Sequence, residues 1–244
     1  PDQNFFYKRK IFFIFPFFYK HTVLKLFFNF IKEFSEPKKN LEVHILHTSI
    51  TKDDWTEKLK KMRLIYNNFT NINQIHNFMI KEKFNSAIFL DHSMDHLSQM
   101  IINKKYAKNY FMMWGHPITT GSKNVDYFIS SKSMDDNNDD QYIEKLILLE
   151  GLGINYKLDE DLINLEKQPI LKNSFFVPQS LFKLLPKYDY LYGKILEENN
   201  KASITFIKDK DPSYTDLFKN RLKKNKFIRE NFDRIKFLNR MKQI

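Results

Sequence analysis

The stretch Trp114-Gly-His-Pro-Ile-Thr-Thr-Gly121, followed by Val125-Asp-Tyr-Phe-Ile-Ser-Ser131, decides how this chain folds. A short apolar run, Tyr110–Trp114, stops at Gly-His-Pro, and a second strand-like run follows the loop. Glycine permits unusual backbone angles and proline fixes them, so together they mark a shaped loop at a strand end. Because α/β folds bind ligands at strand ends, this placement predicts a functional role for the loop's histidine and threonines. The alternative is a turn whose hydroxyl groups satisfy backbone groups.

Short apolar runs alternate with longer helical periods along the chain, which predicts an α/β fold with a parallel sheet and helices on both faces. The predicted strands are Ile11–Phe18, Val43–His47, Ser86–Leu90, Tyr110–Trp114, Val125–Ser130, Leu146–Leu149, Phe175–Val177, Ala202–Ile207 and Ile235–Leu238. The predicted helices are Val23–Phe34, Asp54–Asn67, Asn73–Phe84, His96–Lys104, Gln141–Glu144, Leu181–Leu184, Tyr190–Asn199 and Tyr214–Lys224.

The composition changes within Gly153–Lys172, an acidic and irregular segment that contains Pro169. We therefore predict a boundary there, between an N-terminal domain of residues 1–165 and a shorter second domain of residues 172–244. Three predicted strands make the second domain about half of a nucleotide-binding domain, and such a sheet would leave an exposed edge.

Composition excludes several classes of protein. The chain has no cysteine, which rules out disulfides, thiolate nucleophiles and cysteine-based zinc sites. It contains neither a glycine-rich dinucleotide fingerprint nor a Walker loop. The net charge of +11 raises the possibility of nucleic-acid binding, but acidic residues are interspersed with the basic ones. The one dense basic stretch, Lys219–Lys242, is typical of a solvated amphipathic helix followed by a short strand.

The apolar run Ile11–Phe18 is too short to cross a membrane, because a spanning helix needs roughly 20 apolar residues. It contains Pro16, and lysine or arginine flanks it on both sides. We interpret it as a buried strand and expect neither an export signal nor a membrane partner. Together with the lack of cysteine, this makes a cytoplasmic protein the expectation.

Several motifs, in sequence order, resemble the catalytic region of the protein O-linked N-acetylglucosamine transferases. That family includes the SPINDLY fucosyltransferases and bacterial cytoplasmic protein glycosyltransferases, and the resemblance is closest to the bacterial SPINDLY-like branch. The motifs are Phe17-Phe-Tyr-Lys-His-Thr-Val23, Leu90-Asp-His-Ser-Met-Asp-His-Leu97, the loop Trp114–Gly121 with Asp126-Tyr127-Phe128, Tyr142–Ile147, Leu152–Tyr156, Val177-Pro-Gln-Ser-Leu-Phe-Lys183 and Arg234–Met241. The second motif departs from the family's D-I-G-M-D-P-L at His92, Ser93 and His96, and Val177 stands where the family has Cys.

The resemblance implies a GT-B fold, in which two Rossmann-like lobes bind the donor nucleotide in the cleft between them. This chain would supply a complete first lobe and the first half of the second. The missing half would carry the family's H-T/N-T-T loop, which holds the nucleotide phosphates. The implied donor is a nucleoside-diphosphate sugar such as UDP-GlcNAc, and the implied acceptor is a protein or peptide. No separate cofactor and no metal are expected.

The resemblance also assigns three catalytic candidates. His21 matches a histidine that lines the catalytic cleft, where an imidazole can orient a substrate or move a proton. Lys183 matches a lysine near the donor diphosphate, where positive charge stabilises the leaving group. His116 matches the cleft wall that faces the sugar. We expect the three to converge on one cleft, although surface positions for His21 and Lys183 are the alternatives.

The remaining candidates are donor-binding residues. Gly115 would allow close approach of the backbone, and Gln179 and Ser180 would contact the nucleotide. Thr119 and Thr120 either contact the ligand or cap a turn.

Two carboxylates, Asp91 and Asp95, follow a predicted strand near the expected cleft. A carboxylate at such a position can serve in a proton relay or cap a helix, and we assign the capping role to Asp95.

The sequence thus predicts a glycosyltransferase that modifies protein side chains. A truncated or inactive homologue that only binds a protein partner is the first rival. A basic nucleic-acid-binding module, resting on charge alone, is the second.

Overall fold

The computed structural model describes residues 9–37, 40–93, 95–136, 139–154 and 172–240. The chain divides into two compact units, Pro1–Leu158 and Asp159–Ile244. Most of the segment predicted to hold the domain boundary, residues 155–171, lies outside the described residues.

The first unit alternates strands and helices. Its strands are β1 (Arg9–Phe15), β2 (Leu41–His47), β3 (Ile65–Asn68), β4 (Phe84–Phe89), β5 (Ala107–Met113), β6 (Tyr127–Ser131) and β7 (Lys145–Leu149). Its helices are α1 (Thr22–Phe34), α2 (Asp54–Lys60), α3 (Ile72–Glu82) and α4 (His96–Ile102), with a short 3-10 turn at Asp139–Gln141.

All seven strands pair in parallel, in the spatial order β3-β2-β1-β4-β5-β6-β7. This doubly wound order confirms the predicted α/β fold with a Rossmann-like first lobe. The strand order reverses between β1 and β4, which makes the carboxyl ends of these two strands the topological switch point of the sheet. Ligands of open α/β sheets bind in the crevice at such a point.

The central strands are apolar on both faces because helices cover both sides of the sheet. In β1 the alternation of side chains sends Phe12 and Ile14 into one core cluster and Ile11, Phe13 and Phe15 into the other. These five side chains are at most 5% exposed. The apolar run near the N-terminus therefore forms a buried interior strand of the first sheet, as the sequence predicted.

The second unit is a small parallel sheet with helices. It comprises β8 (Ser174–Val177), α5 (Asp189–Glu198), β9 (Ser203–Ile207), α6 (Pro212–Leu222), α7 (Lys226–Glu230) and β10 (Ile235–Leu238), with 3-10 turns at Leu181–Lys183, Pro186–Tyr188 and Phe232–Arg234. The strand order is β10-β9-β8. Phe206, Leu222 and Ile228 lie at the centre of its core.

Two helix predictions were wrong. Residues 142–144 form no helix, because the 3-10 turn there ends at Gln141, and another predicted helix was wrong in its second half. The helix predicted over Asp54–Asn67 ends at Lys60, and Ile65–Asn68 forms β3, the edge strand that pairs with β2. Ile65 is 45% exposed, so this short strand offers little burial signal in the sequence. None of the described helices is both long enough and apolar enough to cross a membrane.

Candidate functional site

His21 lies at the end of the loop that connects β1 to α1, at the switch point, and caps α1. Its Nδ1 accepts a hydrogen bond of 3.3 Å from the Val23 amide, and its ring stacks on Phe17 with a centroid distance of 4.4 Å. Since Nδ1 accepts, the neutral ring carries its proton on Nε2, which makes Nε2 a donor. Burial lowers the pKa of His21, while the Asp91 carboxylate acts in the opposite direction.

Asp91 follows β4 on the other side of the switch point and contacts the second histidine. Asp91 is 2% exposed, and its Oδ2 lies 3.1 Å from Nδ1 of His116. Its other oxygen accepts hydrogen bonds from the amide and hydroxyl of Ser93, at 2.9 and 3.1 Å. His116 itself is 43% exposed at the end of β5. The buried carboxylate thus holds a partly exposed imidazole.

Gly115 brings the loop after β5 against the end of β4. Its amide donates to the carbonyl of Leu90 at 3.1 Å. A Cβ at this position would lie 2.2 Å from that carbonyl oxygen and 3.1 Å from Cβ of Asp91. Only glycine fits this approach, which sets His116 beside Asp91.

Thr119 and Thr120 hydrogen-bond to the buried carboxylate of Glu144, which is 4% exposed. The Thr119 hydroxyl donates to Oε2 at 2.7 Å, the Thr120 amide donates to Oε1 at 2.8 Å, and the Thr120 hydroxyl also donates to Oε1. Burial acts to raise the pKa of Glu144, but the hydrogen bonds from Thr120 and Thr119 outweigh it and hold the pKa below its usual value. Both hydroxyl protons are therefore used in hydrogen bonds to Glu144. Ligand contact by the two threonines stays a prediction.

A buried histidine anchors the loop that carries His21. His47 ends β2, and its Nε2 lies 3.0 Å from the Pro16 carbonyl, while its Nδ1 lies 2.6 Å from the Tyr66 hydroxyl. A carbonyl only accepts, so Nε2 carries the proton and the tyrosine hydroxyl donates to Nδ1. Burial lowers the pKa of His47 to about 4, so the ring is neutral at pH 7.

The N-terminus of α2 holds the same loop at two further points. Asp53 caps α2 through Oδ1, and its Oδ2 accepts the amide of Lys20 at 2.6 Å. The Thr56 hydroxyl accepts from the Asp53 amide at 3.2 Å and donates to the Phe18 carbonyl at 2.6 Å. Each residue of this capping box thus contacts both the helix and the loop before His21.

The other candidates lie in the second unit, at the carboxyl end of β8. Lys183 ends the 3-10 turn Leu181–Lys183 and is exposed, and its amide donates to the Ser180 carbonyl at 3.0 Å. Gln179 is exposed and accepts from the Ser180 amide at 2.9 Å. Arg240, which follows β10, lies 3.4 Å from the Ser180 hydroxyl. Lysine and arginine side chains at one sheet edge suit an anionic ligand.

A separate charged cluster occupies the opposite, amino-terminal edge of the first sheet. Nε2 of the buried His44 lies 2.9 Å from Glu42, and the ammonium of Lys10 lies 3.3 Å from Glu42 and 2.7 Å from Glu82. Side chains of this kind can bind a metal ion. Here the lysine ammonium supplies the positive charge that the two carboxylates require.

The first unit therefore brings together His21, Asp91, Gly115 and His116 at one sheet edge. Asp95 caps α4 through the Ser98 amide at 2.9 Å, in the helix-capping role assigned to it. The pairing of Asp91 with His116 was not predicted from sequence, because 25 residues separate them. The only available signal was that both follow strand ends of one parallel sheet. Convergence of the two histidines with Lys183 stays a prediction.

The fold that carries this edge is a Rossmann-like α/β fold. The sequence matches no protein-family profile and no curated protein. The chain is similar in structure to a mutant of the O-GlcNAc transferase of Thermobaculum terrenum, with a TM-score of 0.80 and 16% identity over 97% of this chain and 45% of that one. It is also similar to a glycosyltransferase of Rickettsia africae ESF-5, with a TM-score of 0.54 and 10% identity over 96% of this chain and 69% of that one. The chain thus spans less than half of the first of these proteins.

Proposed function

We propose that this chain is part of a glycosyltransferase that moves a sugar from a nucleoside-diphosphate sugar to Ser, Thr or Asn side chains of cytoplasmic proteins. One observation carries the proposal: His21, Asp91 and His116 meet at the switch point of a sheet whose fold is that of glycosyltransferases. The motifs described above favour the SPINDLY-like branch of the O-GlcNAc transferases.

The proposed reaction is a single inverting displacement. The acceptor oxygen or nitrogen attacks the anomeric carbon, and the bond from that carbon to the phosphate oxygen breaks. The electron pair leaves on the nucleoside diphosphate, whose added negative charge needs a fixed positive partner. Lys183 supplies that charge, and Gln179 and Ser180 contact the nucleotide.

The nucleic-acid rival rests on charge alone, and part of that charge is paired within the chain. Ion pairs with carboxylates are formed by Lys10, Lys60, Lys105, Lys132 and Arg221. Paired cations release fewer counterions on meeting a phosphate backbone, so they contribute less to nucleic-acid affinity.

The decisive test is sugar transfer by the full-length protein. The protein is incubated with uridine and guanosine diphosphate sugars and a peptide pool containing Ser, Thr and Asn, and the peptides are analysed by mass spectrometry. The expected result is a mass increase of one sugar that requires both donor and enzyme. Peptide binding without transfer would support the inactive, protein-binding alternative, and salt-sensitive oligonucleotide binding would support the nucleic-acid module.

A further inference from the structure

The two histidines of the site are held by opposite kinds of partner. His116 Nδ1 faces the Asp91 carboxylate at 3.1 Å, and a carboxylate only accepts hydrogen bonds. Nδ1 must therefore carry the proton, and Nε2 of the neutral ring is left with a free lone pair. His21 Nδ1 instead accepts from the Val23 amide, which leaves its proton on Nε2. The Nε2 atoms of the two rings therefore differ. Nε2 of His116 can accept a proton, whereas Nε2 of His21 can donate a hydrogen bond.

His116 is also held on both sides along the chain. On its amino-terminal side, Gly115 is hydrogen-bonded to Leu90 at 3.1 Å and fits against the end of β4 without space for a side chain. On its carboxyl-terminal side, Thr119 and Thr120 are fixed by Glu144. A base whose orientation is set before the substrate arrives needs no reorganisation during the reaction.

We propose that His116 is the general base of the transfer, oriented by Asp91, and that His21 acts as a hydrogen-bond donor. The inference rests on the proposed function and assigns the proton transfer within it. The arrangement follows the logic of an Asp–His pair in which the buried carboxylate fixes the tautomer and stabilises the imidazolium that forms.

The proton is accounted for at each stage. As the acceptor oxygen bonds to the anomeric carbon, its proton passes to Nε2 of His116, and the bond between that carbon and the diphosphate oxygen breaks. The imidazolium then carries one positive charge beside the negative Asp91 carboxylate. It returns the proton to water after the products leave, which restores the neutral ring.

The tautomers can be measured without any activity. In the full-length protein labelled with ¹⁵N-histidine, two-bond proton–nitrogen correlations identify which ring nitrogen is protonated, and His116→Gln and His21→Gln assign the two signals. At a pH where both rings are neutral, we expect protonation at Nδ1 for His116 and at Nε2 for His21. Protonation of His116 at Nε2 would overturn the inference even in an active enzyme.

Kinetics provide the second test. His116→Gln should lower kcat by roughly 10²- to 10⁴-fold, the usual contribution of a general base, while the dissociation constant of the donor stays unchanged. His96→Gln, at an exposed position in the first turn of α4, is the matched control and should behave like wild type. Asp91→Asn should lower kcat in the same range, and the NMR spectrum then reports the altered tautomer of His116.

The outcomes separate the two proposals. An active wild type with an equally active His116→Gln overturns the general-base assignment and leaves the glycosyltransferase intact. A His116→Gln variant that loses donor affinity in parallel with kcat also overturns it, because a binding role then explains the loss. A wild type that transfers no sugar overturns the proposed function and the general-base assignment with it.

Discussion

Glu144 shows how one buried carboxylate can hold a loop. It accepts from the Thr119 hydroxyl and from the amide and hydroxyl of Thr120. Glu144→Ala leaves these donors without their partner, which we expect to cost roughly 1–3 kcal/mol of unfolding free energy. The measurement is denaturant unfolding at pH 7, with Glu150→Ala as control because that side chain is 82% exposed. Equal losses in the two variants would contradict the role of Glu144.

The same carboxylate gives a pH dependence with a defined sign. The pKa of Glu144 in the folded protein lies below the ordinary value of 4.5, so its contribution to stability is present above that value and is lost as the pH falls. The difference in unfolding free energy between wild type and Glu144→Gln should therefore shrink below about pH 4.5. A difference that stays constant from pH 7 to pH 3 would rule this out.

His47 should make the protein less stable in mild acid. Its pKa is about 4 in the folded state against 6.5 for a free histidine. Between these two values the unfolded chain binds a proton at this residue and the folded chain does not. Stability should decrease as the pH falls from about 6.5 to 4, by up to about 3 kcal/mol from this residue. His47→Gln removes the titrating group, and its unfolding free energy should vary less over that range. Parallel curves for the two proteins would show that His47 does not titrate in this way.

Lys183 is the residue that we propose as the positive partner of the leaving diphosphate. Lys183→Ala in the full-length protein should lower turnover by the equivalent of roughly 3–4 kcal/mol, the usual loss for one fixed contact to developing charge. Acceptor binding should change much less. Lys201→Ala, an exposed lysine before the amino end of β9, is the matched control. Equal rates for wild type and Lys183→Ala would mean that Lys183 is a surface lysine.

Sequence reasoning at the residue scale found side chains but not their partners. His21, His116 and Asp91 were recognisable because each follows a strand end, and Asp91 was already a candidate for proton relay. The contact of Asp91 with His116 depends on the lateral order of β4 and β5, which hydrophobic periodicity does not encode. The hydrogen bonds of Thr119 and Thr120 to Glu144 depend on the order of distant strands in the same way.

At the scale of elements, the N-terminus of α2 ties the helix to the loop before His21. Asp53→Ala removes the helix cap and the acceptor of the Lys20 amide together, so we expect a loss of roughly 1–3 kcal/mol in unfolding free energy. The neighbouring Asp54→Ala lies in the same helical turn at an exposed position and should cost less than about 0.5 kcal/mol. Denaturant unfolding of the two variants measures the difference, and similar losses would argue against the link.

The strands that the sequence predicted well are the buried ones. β1, β2 and β5 are buried over most of their length, and Pro, Asn and Gly residues near their ends mark where they stop. β3 was missed because its residues follow α2 after a short turn that contains neither Gly nor Pro. Because no residue there breaks a helix, the helix predicted from the spacing of apolar residues extended from α2 into the strand.

At the scale of the whole molecule, the sheets of the two units differ in size, with seven described strands in the first and three in the second. In the first unit β1 pairs on one side with β2 and on the other with β4. In the described part of the second unit β8 pairs with β9 alone, and its Phe175 and Phe176 are 41% and 55% exposed. A parallel sheet with an apolar, exposed edge strand is poorly shielded from water. Among the described residues, no strand pairs with the edge of β8 that faces away from β9.

This asymmetry leads to the last prediction, on activity. The 244-residue chain should bind a uridine or guanosine diphosphate sugar weakly and turn over poorly, whereas the full-length protein should be active. In the proposed donor site Lys183, Gln179 and Ser180 would contact the donor, and the phosphate-holding loop implied by the resemblance does not occur in this sequence. Without that loop the electrostatic stabilisation of the leaving diphosphate is incomplete, and fixed charge of this kind contributes several kcal/mol, about 2.7–4 for a single donor. Calorimetry of donor binding and transfer to the peptide pool, run side by side for both chain lengths, provide the measurement. If the 244-residue chain matched the full-length protein in donor affinity and rate, the donor site would lie entirely within the residues described above.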